Sequence, residues 1–358
     1  MRVRLGDYIK EYSVKNKNNE DIPVYSVSNS LGFCKDYFGK EVASKNKTTY
    51  KIVPRGCFAY NPSRINVGSV DWQNEEERVI VSPLYNVFSV SPLLDQQYLL
   101  YYLKSNVTLA RIKSVASGSV RDNLKLSMLY EFPIDLISLD QQYEVVSILN
   151  TVQKIIDLYQ KELSGLDELV RVRFVEMFGD SITNDKNLKL ISLFDLSVLK
   201  AGKSIKTGEL SETYDDETLM YPCFGGNGIR GYINRYSHDG NYPIIGRQGA
   251  WAGNVNYATG KFYATEHAIV VTPKVDLNTV WFYYGLKYLD LTRFQTGAAQ
   301  PGLAVDKLNK VFIPFPAIEL QNQFASFVKE IDKSRSRIQK SLEASQELFD
   351  SLMQEYFG

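Results

Sequence analysis

The fold is decided by a stretch of 40 residues that occurs twice in the chain. It reads DQQYEVVSILNTVQKIIDLYQKELSGLDELVRVRFVEMFG at residues 140–179 and ELQNQFASFVKEIDKSRSRIQKSLEASQELFDSLMQEYFG at residues 319–358. The two copies align without a gap at a shift of 179 residues. The identical pairs include Gln142 with Gln321, Ser147 with Ser326, Lys154 with Lys333, Gln160 with Gln339, Lys161 with Lys340, Leu163 with Leu342, Glu168 with Glu347, and Phe178 with Phe357. Such agreement predicts an internal duplication in which each copy closes one half of the chain.

Both copies are predicted to be long amphipathic helices, because apolar residues recur in them at steps of three and four. At 1.5 Å per residue each helix would be roughly 55–60 Å long, and alone it could not bury its apolar stripe. Ser138 and Gln141 predict a capping box at the start of the first helix, and Gly179 predicts its end. The residues predicted to pair the helices or to bind a partner are Val145, Ile148, Val152, Ile155, Leu163, Phe327, Ile331, Ile338 and Leu342.

The connection between the two copies predicts their relative direction. The first helix ends where the second globular segment begins, and the second helix starts from that same segment. A parallel pair would require the second helix to start a full helix length away. An antiparallel coiled coil with pseudo-two-fold symmetry is therefore favoured. A generic long coiled coil used for dimerisation is the alternative.

Two globular segments precede the helices, and they match each other only weakly. Leu5-Gly6-Asp7 echoes Leu193-Phe194-Asp195, and residues 101–104 echo residues 283–287. Short strands separated by Gly and Pro turns, with helices near residues 95–105 and 279–289, predict an α+β fold. The predicted division is a first domain at 1–139, a first helix at 140–179, a second domain at 180–318 and a second helix at 319–358.

The charge has to be read locally, because the chain has 41 basic and 41 acidic side chains and no net charge. Within the first domain, residues 35–64 are rich in Lys and Arg and interleaved with Tyr and Phe. This mixture suits a surface that grips phosphates and reads base edges, although a merely solvated face is equally compatible. The candidate DNA-binding residues of this domain are Lys45, Lys47, Asn61, Ser63, Arg64 and Asn66.

The second domain contains two Gly-rich stretches, at residues 224–232 and 244–251. Glycines would let polar side chains project from loops that approach a ligand closely. Ordinary β-turn glycines in a twisted sheet are the alternative. The candidate DNA-binding residues of this domain are Lys203, Asn227, Arg230, Arg247 and Gln248.

The sequence contains no recognisable active site. The Phe224-x-Gly226-x-Gly228 pattern lacks the preceding strand and the following acidic residue that an S-adenosylmethionine pocket needs. His238 and His267 form no metal-ligand pattern, and no nucleophile–base pair is evident. We therefore predict no catalytic residue, no metal and no cofactor in this chain.

The expected compartment is the cytoplasm. Cys34, Cys57 and Cys223 are odd in number and widely spaced, which indicates reduced thiols and no disulfide framework. No apolar segment is long enough for a membrane span, and no signal segment is evident.

The order of variable domain, repeated helix, variable domain and repeated helix resembles the DNA specificity (S) subunits of type I restriction-modification systems. Residues 314–321, Pro-Phe-Pro-Ala-Ile-Glu-Leu-Gln, are similar to the family's proline-rich lead-in ending in Glu-Gln, although a Leu separates the two here. The first copy has Asp140-Gln141-Gln142 instead. Gly-Ile-Arg-Gly-Tyr at 228–232 and Gly-Arg-Gln-Gly at 246–249 resemble one common class of second target-recognition domain.

The resemblance implies that each domain reads one half of a split, asymmetric DNA target while the helices set the gap between the halves. The implied partners are double-stranded DNA, two methyltransferase subunits that methylate adenine with S-adenosylmethionine, and a restriction or translocase subunit. Catalysis would belong to those partners. Two alternatives from other classes are a stand-alone site-specific DNA-modifying enzyme and a coiled-coil protein adaptor.

Overall fold

The computed structural model describes residues 1–35, 46–116, 123–214, 219–297 and 301–358. It has a mixed α/β fold and forms two compact units. The first unit comprises Met1–Gln160 together with Lys340–Gly358, and the second comprises Lys161–Gln339. Each unit therefore contains one globular domain and part of each long helix.

In the first unit the domain begins and ends with strands that pair with each other, and it precedes the first long helix. Its strands are β1 (Arg2–Arg4), β2 (Ile9–Glu11), β3 (Ser26–Ser28), β4 (Gly32–Cys34), β5 (Lys51–Pro54), β6 (Phe58–Tyr60), β7 (Val70–Trp72), β8 (Arg78–Val81), β9 (Asn86–Val90) and β10 (Pro133–Asp135). Its helices are α1 (Gln96–Lys104), α2 (Asn106–Ala116), α3 (Leu126–Leu129) and the first half of α4 (Leu139–Phe178).

The main sheet of the first unit has the strand order β2-β9-β6-β7, with all neighbours antiparallel. Phe58 lies opposite Phe88 in this sheet, and their rings stack with centroids 5.0 Å apart. Both side chains are fully buried, since α1 covers the sheet with Tyr98 and Leu99. Burial of large apolar side chains is the dominant stabilising term, so this sheet is the rigid part of the domain.

The second unit repeats this plan. Its strands are β11 (Lys189–Ser192), β12 (Ser197–Ala201), β13 (Tyr221–Gly225), β14 (Gly228–Ile233), β15 (His238–Asp239), β16 (Tyr242–Gly246), β17 (Val255–Ala258), β18 (Lys261–Ala264), β19 (Ala268–Pro273) and β20 (Phe312–Phe315). Its helices are α5 (Leu193–Leu196), α6 (Thr279–Tyr288), the second half of α4 and the first half of α7 (Ile318–Phe357). The main sheet has the order β12-β19-β16-β17, again with antiparallel neighbours.

The two domains differ beside the main sheet. In the first unit, β5 pairs with β8 in antiparallel fashion, and β3 and β4 form a separate hairpin. In the second unit, a four-stranded sheet has the order β14-β13-β18-β15, and β13 runs parallel to β18. The duplication therefore preserves the main sheet, while the neighbouring strands have been rebuilt.

The two long helices pack together in antiparallel fashion within each unit, as the connectivity predicts. In the first unit, Val145 and Leu149 near the start of α4 share a core with Phe357 at the end of α7. In the second unit, Phe174 near the end of α4 lies 5.3 Å from Phe324 near the start of α7, measured between ring centroids. The capping box is confirmed, since the Gln141 N–H donates to Ser138 Oγ and the Ser138 N–H donates to Gln141 Oε1. Gly179 ends α4 at a φ of +79°.

The buried stripe of α4 differs in phase from the sequence prediction at two positions. Ile148 and Ile155 are 36% and 39% exposed, whereas their neighbours Leu149 and Ile156 are buried. Each belongs to an adjacent apolar pair, in which periodicity alone does not decide which member is buried, so these two positions stay predicted partner contacts. Among the other residues predicted to pair the helices, Val145, Val152 and Leu342 are buried, and Leu163, Phe327, Ile331 and Ile338 are half-buried.

The repeated glutamine explains why one polar residue recurs at the start of both helices. Gln142 and Gln321 are fully buried, and each accepts a hydrogen bond from the backbone N–H of the residue that caps the domain helix. These N-cap residues are Asp95 for α1, at 2.7 Å, and Asn278 for α6, at 2.9 Å. Each amide also donates to the carbonyl two residues before its helix begins, at Ile137 or Pro316. We refer to this arrangement as the glutamine latch, because it fastens each domain to its own helix.

Candidate nucleic-acid interface

The two predicted DNA-reading segments occupy the same place in their domains. Residues 61–69 connect β6 to β7, and residues 247–254 connect β16 to β17, which are the third and fourth strands of the two main sheets. Each loop contains one short 3-10 turn, at Ile65–Val67 and at Gly249–Trp251. Each then passes a glycine with positive φ two residues before the next strand, Gly68 at +86° and Gly253 at +81°. We call these two segments the reading loops.

This equivalence was missed from the sequence, although a signal was present. Residues 67–72 read Val-Gly-Ser-Val-Asp-Trp, and residues 252–257 read Ala-Gly-Asn-Val-Asn-Tyr. The match covers only the last residues of each loop and the strand that follows, and the two loops differ in length. It therefore does not stand out against the long helical repeat. With the two glycines aligned, Asp71 corresponds to Asn256, and Asn66 corresponds to Trp251.

The first reading loop borders a cleft of about 300 Å³, which we call the first cleft. The loop supplies Asn61, Arg64 and Ser69, and strand β3 with its turn supplies Ser28 and Asn29. Arg64 is exposed and Asn61 is half-buried. The first cleft is thus lined by one cation and several amide and hydroxyl groups, the donors and acceptors that read base edges.

Local hydrogen bonds hold the first reading loop in shape. The Asn61 Oδ1 accepts from the Ser63 N–H at 3.1 Å and from Ser63 Oγ at 2.9 Å, which forms an Asx turn. The loop follows directly after Tyr60, the last residue of β6. Tyr60 is fully buried, and its hydroxyl donates a hydrogen bond to the Leu124 carbonyl. Burial raises the pKa of Tyr60 above its ordinary value, so this hydroxyl stays a neutral anchor.

The other candidates of the first domain are placed as follows. Ser63 and Asn66 belong to the reading loop but do not line the first cleft. Lys47 also lies outside the first cleft, and its Nζ is 3.7 Å from Asp21 Oδ1. Lys45 lies outside the described residues. The structure therefore brings Asn61 and Arg64 together and leaves Lys47 apart from them.

The second reading loop borders a cleft of about 460 Å³, which we call the second cleft. The loop supplies Gln248 and Trp251, the β13–β14 hairpin supplies Asn227 and Arg230, and His267 also lines the cleft. Gly225 pairs with Gly228 to close the hairpin, and Gly228 has a φ of +94°. The glycines are therefore β-turn residues, and they also bring polar side chains to a concave surface.

Close backbone contact makes the second cleft a fixed shape. A Cβ atom on Gly246 would lie 2.2 Å from the Trp251 carbonyl oxygen and 2.5 Å from the Gly226 carbonyl oxygen. The Asn254 Nδ2 donates to Asn227 Oδ1 at 3.4 Å, which joins the reading loop to the hairpin. Only glycine allows this approach.

Two candidates of the second domain stand outside the second cleft. Arg247 is half-buried, and its guanidinium donates to the Glu266 carbonyl at 3.4 Å. Lys203 is exposed, and its N–H donates to the Ala264 carbonyl. Asn227, Arg230 and Gln248 are brought together, whereas Arg247 supports the base of the loop. Sequence reasoning missed Trp251 and His267. For Trp251 a signal was present in the sequence, namely a large aromatic residue within a Gly-rich stretch.

Neither a metal site nor a membrane span is evident in the part of the chain that the structure describes. Within the described ranges no group of His, Cys, Asp and Glu side chains is arranged to hold a metal ion. The same residues include no helix with the length and apolar character needed to cross a bilayer.

Comparison with known proteins identifies a matching sequence family. The sequence profile of the type I restriction modification DNA specificity domain matches residues 4–168 and again residues 185–346. The specificity subunit of the type I restriction enzyme EcoprrI of Escherichia coli is 43% identical over 141 residues. This alignment covers 39% of the chain and 35% of that relative, so the chain spans only about a third of the relative's length.

Two solved structures have a similar fold over the whole chain. The S subunit of a type I restriction-modification system from M. genitalium superposes with a TM-score of 0.62 at 18% identity, covering 100% of this chain and 96% of that one. A structure described as the basis of complex assembly and conformational transition of the type I system gives 0.58 at 15% identity, covering 100% and 97%. At such identities the likeness concerns the fold.

Proposed function

Because the chain belongs to the type I restriction modification DNA specificity family, whose role is DNA target recognition, we propose that it recognises a split, asymmetric DNA target. The first domain would read one half of the target through the first cleft, and the second domain would read the other half through the second cleft. Specificity subunits of this family are not catalytic, and the proposed chemistry in this chain is recognition alone.

The observation that carries this proposal is the equivalence of the two reading loops. Each loop joins the third and fourth strands of the main sheet of its own domain, and each borders a cleft lined by polar side chains. Two domains that recognise different half-sites require the same main sheet and loop position with different side chains on the loop. Two identical clefts would instead favour a palindromic target.

The residue types at the clefts fit base recognition. Arginine pairs with guanine O6 and N7, and asparagine or glutamine pairs with adenine N6 and N7. Arg64 and Asn61 offer these groups in the first cleft, and Arg230, Asn227 and Gln248 offer them in the second. Lys47 and Lys203 would contact phosphates outside the clefts, where positive charge adds affinity without specificity.

The proposed partners are two methyltransferase subunits and a restriction or translocase subunit. Methylation of adenine with S-adenosylmethionine would take place on the methyltransferase subunits, after each flips its target base. The exposed apolar residues of α4, including Ile148 and Ile155, are available for such a contact. The proposed compartment is the cytoplasm, which suits three cysteines without a disulfide.

A methylome comparison tests the proposal. Deletion of this chain from its host is expected to erase one bipartite adenine-methylation motif, and re-expression is expected to restore it. An unchanged methylome would overturn the proposal. Methylation or cleavage of DNA by the purified chain alone would favour the stand-alone enzyme instead, and loss of a protein complex without any change in DNA would favour the adaptor.

Variants with matched controls test the assignment of the clefts. Arg64→Ala is expected to relax the motif in one half only, and Arg230→Ala in the other half only, at about 1–3 kcal/mol per bidentate contact. The controls are Lys10→Ala and Lys200→Ala, exposed basic residues on the opposite edge strands β2 and β12 of the same two sheets. Equal relaxation of both halves by either arginine variant would refute the assignment.

A further inference from the structure

Trp251 is exposed in a way that the fold does not require. The chain has three tryptophans, and Trp281 is 1% exposed while Trp72 is half-buried. Trp251 is 53% exposed, although a large aromatic side chain gains most from burial. Its indole is on the wall of the second cleft with Arg230 and Gln248. An exposed indole surrounded by polar side chains is typical of a contact surface.

The backbone that carries this indole is firmly held. The Gly249 N–H donates to the Pro301 carbonyl at 2.8 Å, and the Asn254 N–H donates to the Trp251 carbonyl at 3.1 Å. The next residue, Ala252, is 1% exposed, and its carbonyl accepts from Gln295 Nε2 at 2.5 Å. The loop is therefore anchored on both sides of a side chain that projects outward, so little loop entropy is lost on binding.

The equivalent position of the first domain has a different residue. With Gly253 aligned to Gly68, Trp251 corresponds to Asn66, which is half-buried and polar. The loop and its sheet are shared, but the indole is present in the second domain alone. A difference at a shared position of a reading loop points to specificity and away from folding.

We propose that Trp251 is a specificity-determining residue that buries its indole against the apolar parts of the second half-site, namely a thymine methyl group or an unstacked base face. This inference rests on the proposed DNA-recognition function and adds to it an apolar, aromatic component in one half of the target. Arg230 and Gln248, on the same cleft wall, supply the hydrogen bonds that fix the register of the DNA.

The first test uses the full chain and duplex DNA that carries the motif found by methylome sequencing. Trp251→Ala is expected to weaken binding about 10- to 100-fold, and Trp251→Phe is expected to retain most of the affinity because an aromatic face remains. The matched control is Phe312→Ala, an exposed aromatic on β20 outside the second cleft, which should leave the affinity unchanged. Thermal unfolding of each variant checks that the fold is intact.

The second test uses the fluorescence of Trp251, which is the most exposed of the three indoles. Iodide is expected to quench the emission of the unbound chain and to quench it less once the specific duplex is added. A duplex with a scrambled second half-site should give no such protection. A third duplex, with uracil in place of thymine in the second half-site, distinguishes contact with the thymine methyl group from stacking on the base. If the specific duplex and the duplex with the scrambled second half-site protected Trp251 from iodide equally, a contact specific to the second half-site would be contradicted.

The outcomes separate this inference from the proposed function. Specific DNA binding by the wild type that Trp251→Ala leaves unaltered would overturn the role of Trp251 and leave the proposed function intact. Failure of the wild type to bind any duplex, together with an unchanged methylome, would overturn both. A loss in Trp251→Ala that affects the first half-site equally would show a structural role and contradict the inference.

Discussion

The main sheet and the strands beside it have diverged very differently between the two units. The main sheets share their strand order, their antiparallel pairing and the position of the reading loop. The adjacent strands share neither number nor direction, since β5 and β8 are antiparallel whereas β13 and β18 are parallel. The main sheet, which positions the reading loop, is therefore the same in both units. The adjacent strands, which shape the cleft wall, differ. Paired substitutions at equivalent positions of the two units test this difference.

The largest expected effect is in the packing of the long helices. Phe324 is fully buried, and its ring centroid lies within 5.6 Å of those of Phe174, Phe178 and Tyr284. Phe324→Ala is expected to lower the free energy of unfolding of the second unit by about 3–5 kcal/mol. The equivalent Val145→Ala removes only two carbons from the first unit and should cost about 2 kcal/mol. Hydrogen exchange resolved by unit measures both, and equal losses would contradict an aromatic core specific to the second unit.

The next effect concerns the glycines of the reading loops. A Cβ on Gly253 would lie 2.8 Å from the backbone of Leu291 and Thr292, whereas a Cβ on Gly68 would meet its nearest atom at 4.0 Å. Gly68→Ala is expected to cost about 1–2 kcal/mol from its left-handed backbone alone. Gly253→Ala adds overlap and should cost roughly 2–4 kcal/mol. Denaturant unfolding compares them, and a smaller loss for Gly253→Ala would show that the second loop is less tightly held than described.

The glutamine latch gives a smaller and symmetric effect. Gln142→Leu or Gln321→Leu leaves a part-buried N–H, at Asp95 or Asn278, and a carbonyl, at Ile137 or Pro316, without its partner, at about 1–3 kcal/mol for each variant. Because each latch orients one domain on its helix, each variant is expected to weaken recognition of its own half-site alone.

The control for the latch is Gln153→Leu in α4, a half-buried residue whose amide donates to Asp157 Oδ1 in an exposed hydrogen bond. Affinity for duplexes with one half-site altered at a time is the measurement. An equal loss on both halves from either latch variant would indicate general destabilisation and not orientation.

The smallest effect is a pH dependence at Asp71, which corresponds to Asn256. Burial raises the pKa of Asp71 above its ordinary value, and hydrogen bonds from the Trp72 and Phe33 N–H groups oppose this only in part. The protonated form therefore favours the folded state, and its stabilising contribution is lost as pH rises from the ordinary Asp value through the raised one. Asp71→Asn should remove this loss, so the stability of the variant relative to the wild type increases over that acidic range. A difference that is constant with pH would contradict the prediction.

Periodicity and connectivity predicted the parts of the fold that repeat over many residues. The two long helices, their antiparallel pairing and the capping box at Ser138 are present as predicted. Periodicity did not decide between adjacent apolar residues, as at Ile148 and Leu149, because which of the two is buried depends on the opposite helix.

The clefts were only partly predictable. Residue type found Arg64, Arg230 and Gln248, which the structure places on cleft walls. It did not separate them from Lys47 and Arg247, whose positions depend on contacts with Asp21 and with the Glu266 backbone. The equivalence of the reading loops rests on strand order, which short strands with divergent side chains do not reveal.

The composition of the units has a consequence for the order of events during synthesis. The second unit is one continuous segment, Lys161–Gln339, whereas the first needs Lys340–Gly358 to complete its core, in which Phe357 is buried. At about 5–20 residues per second, roughly 10–40 s pass between the synthesis of residue 160 and that of residue 358. Of the two domains, the one that is synthesised first is therefore expected to complete its core last.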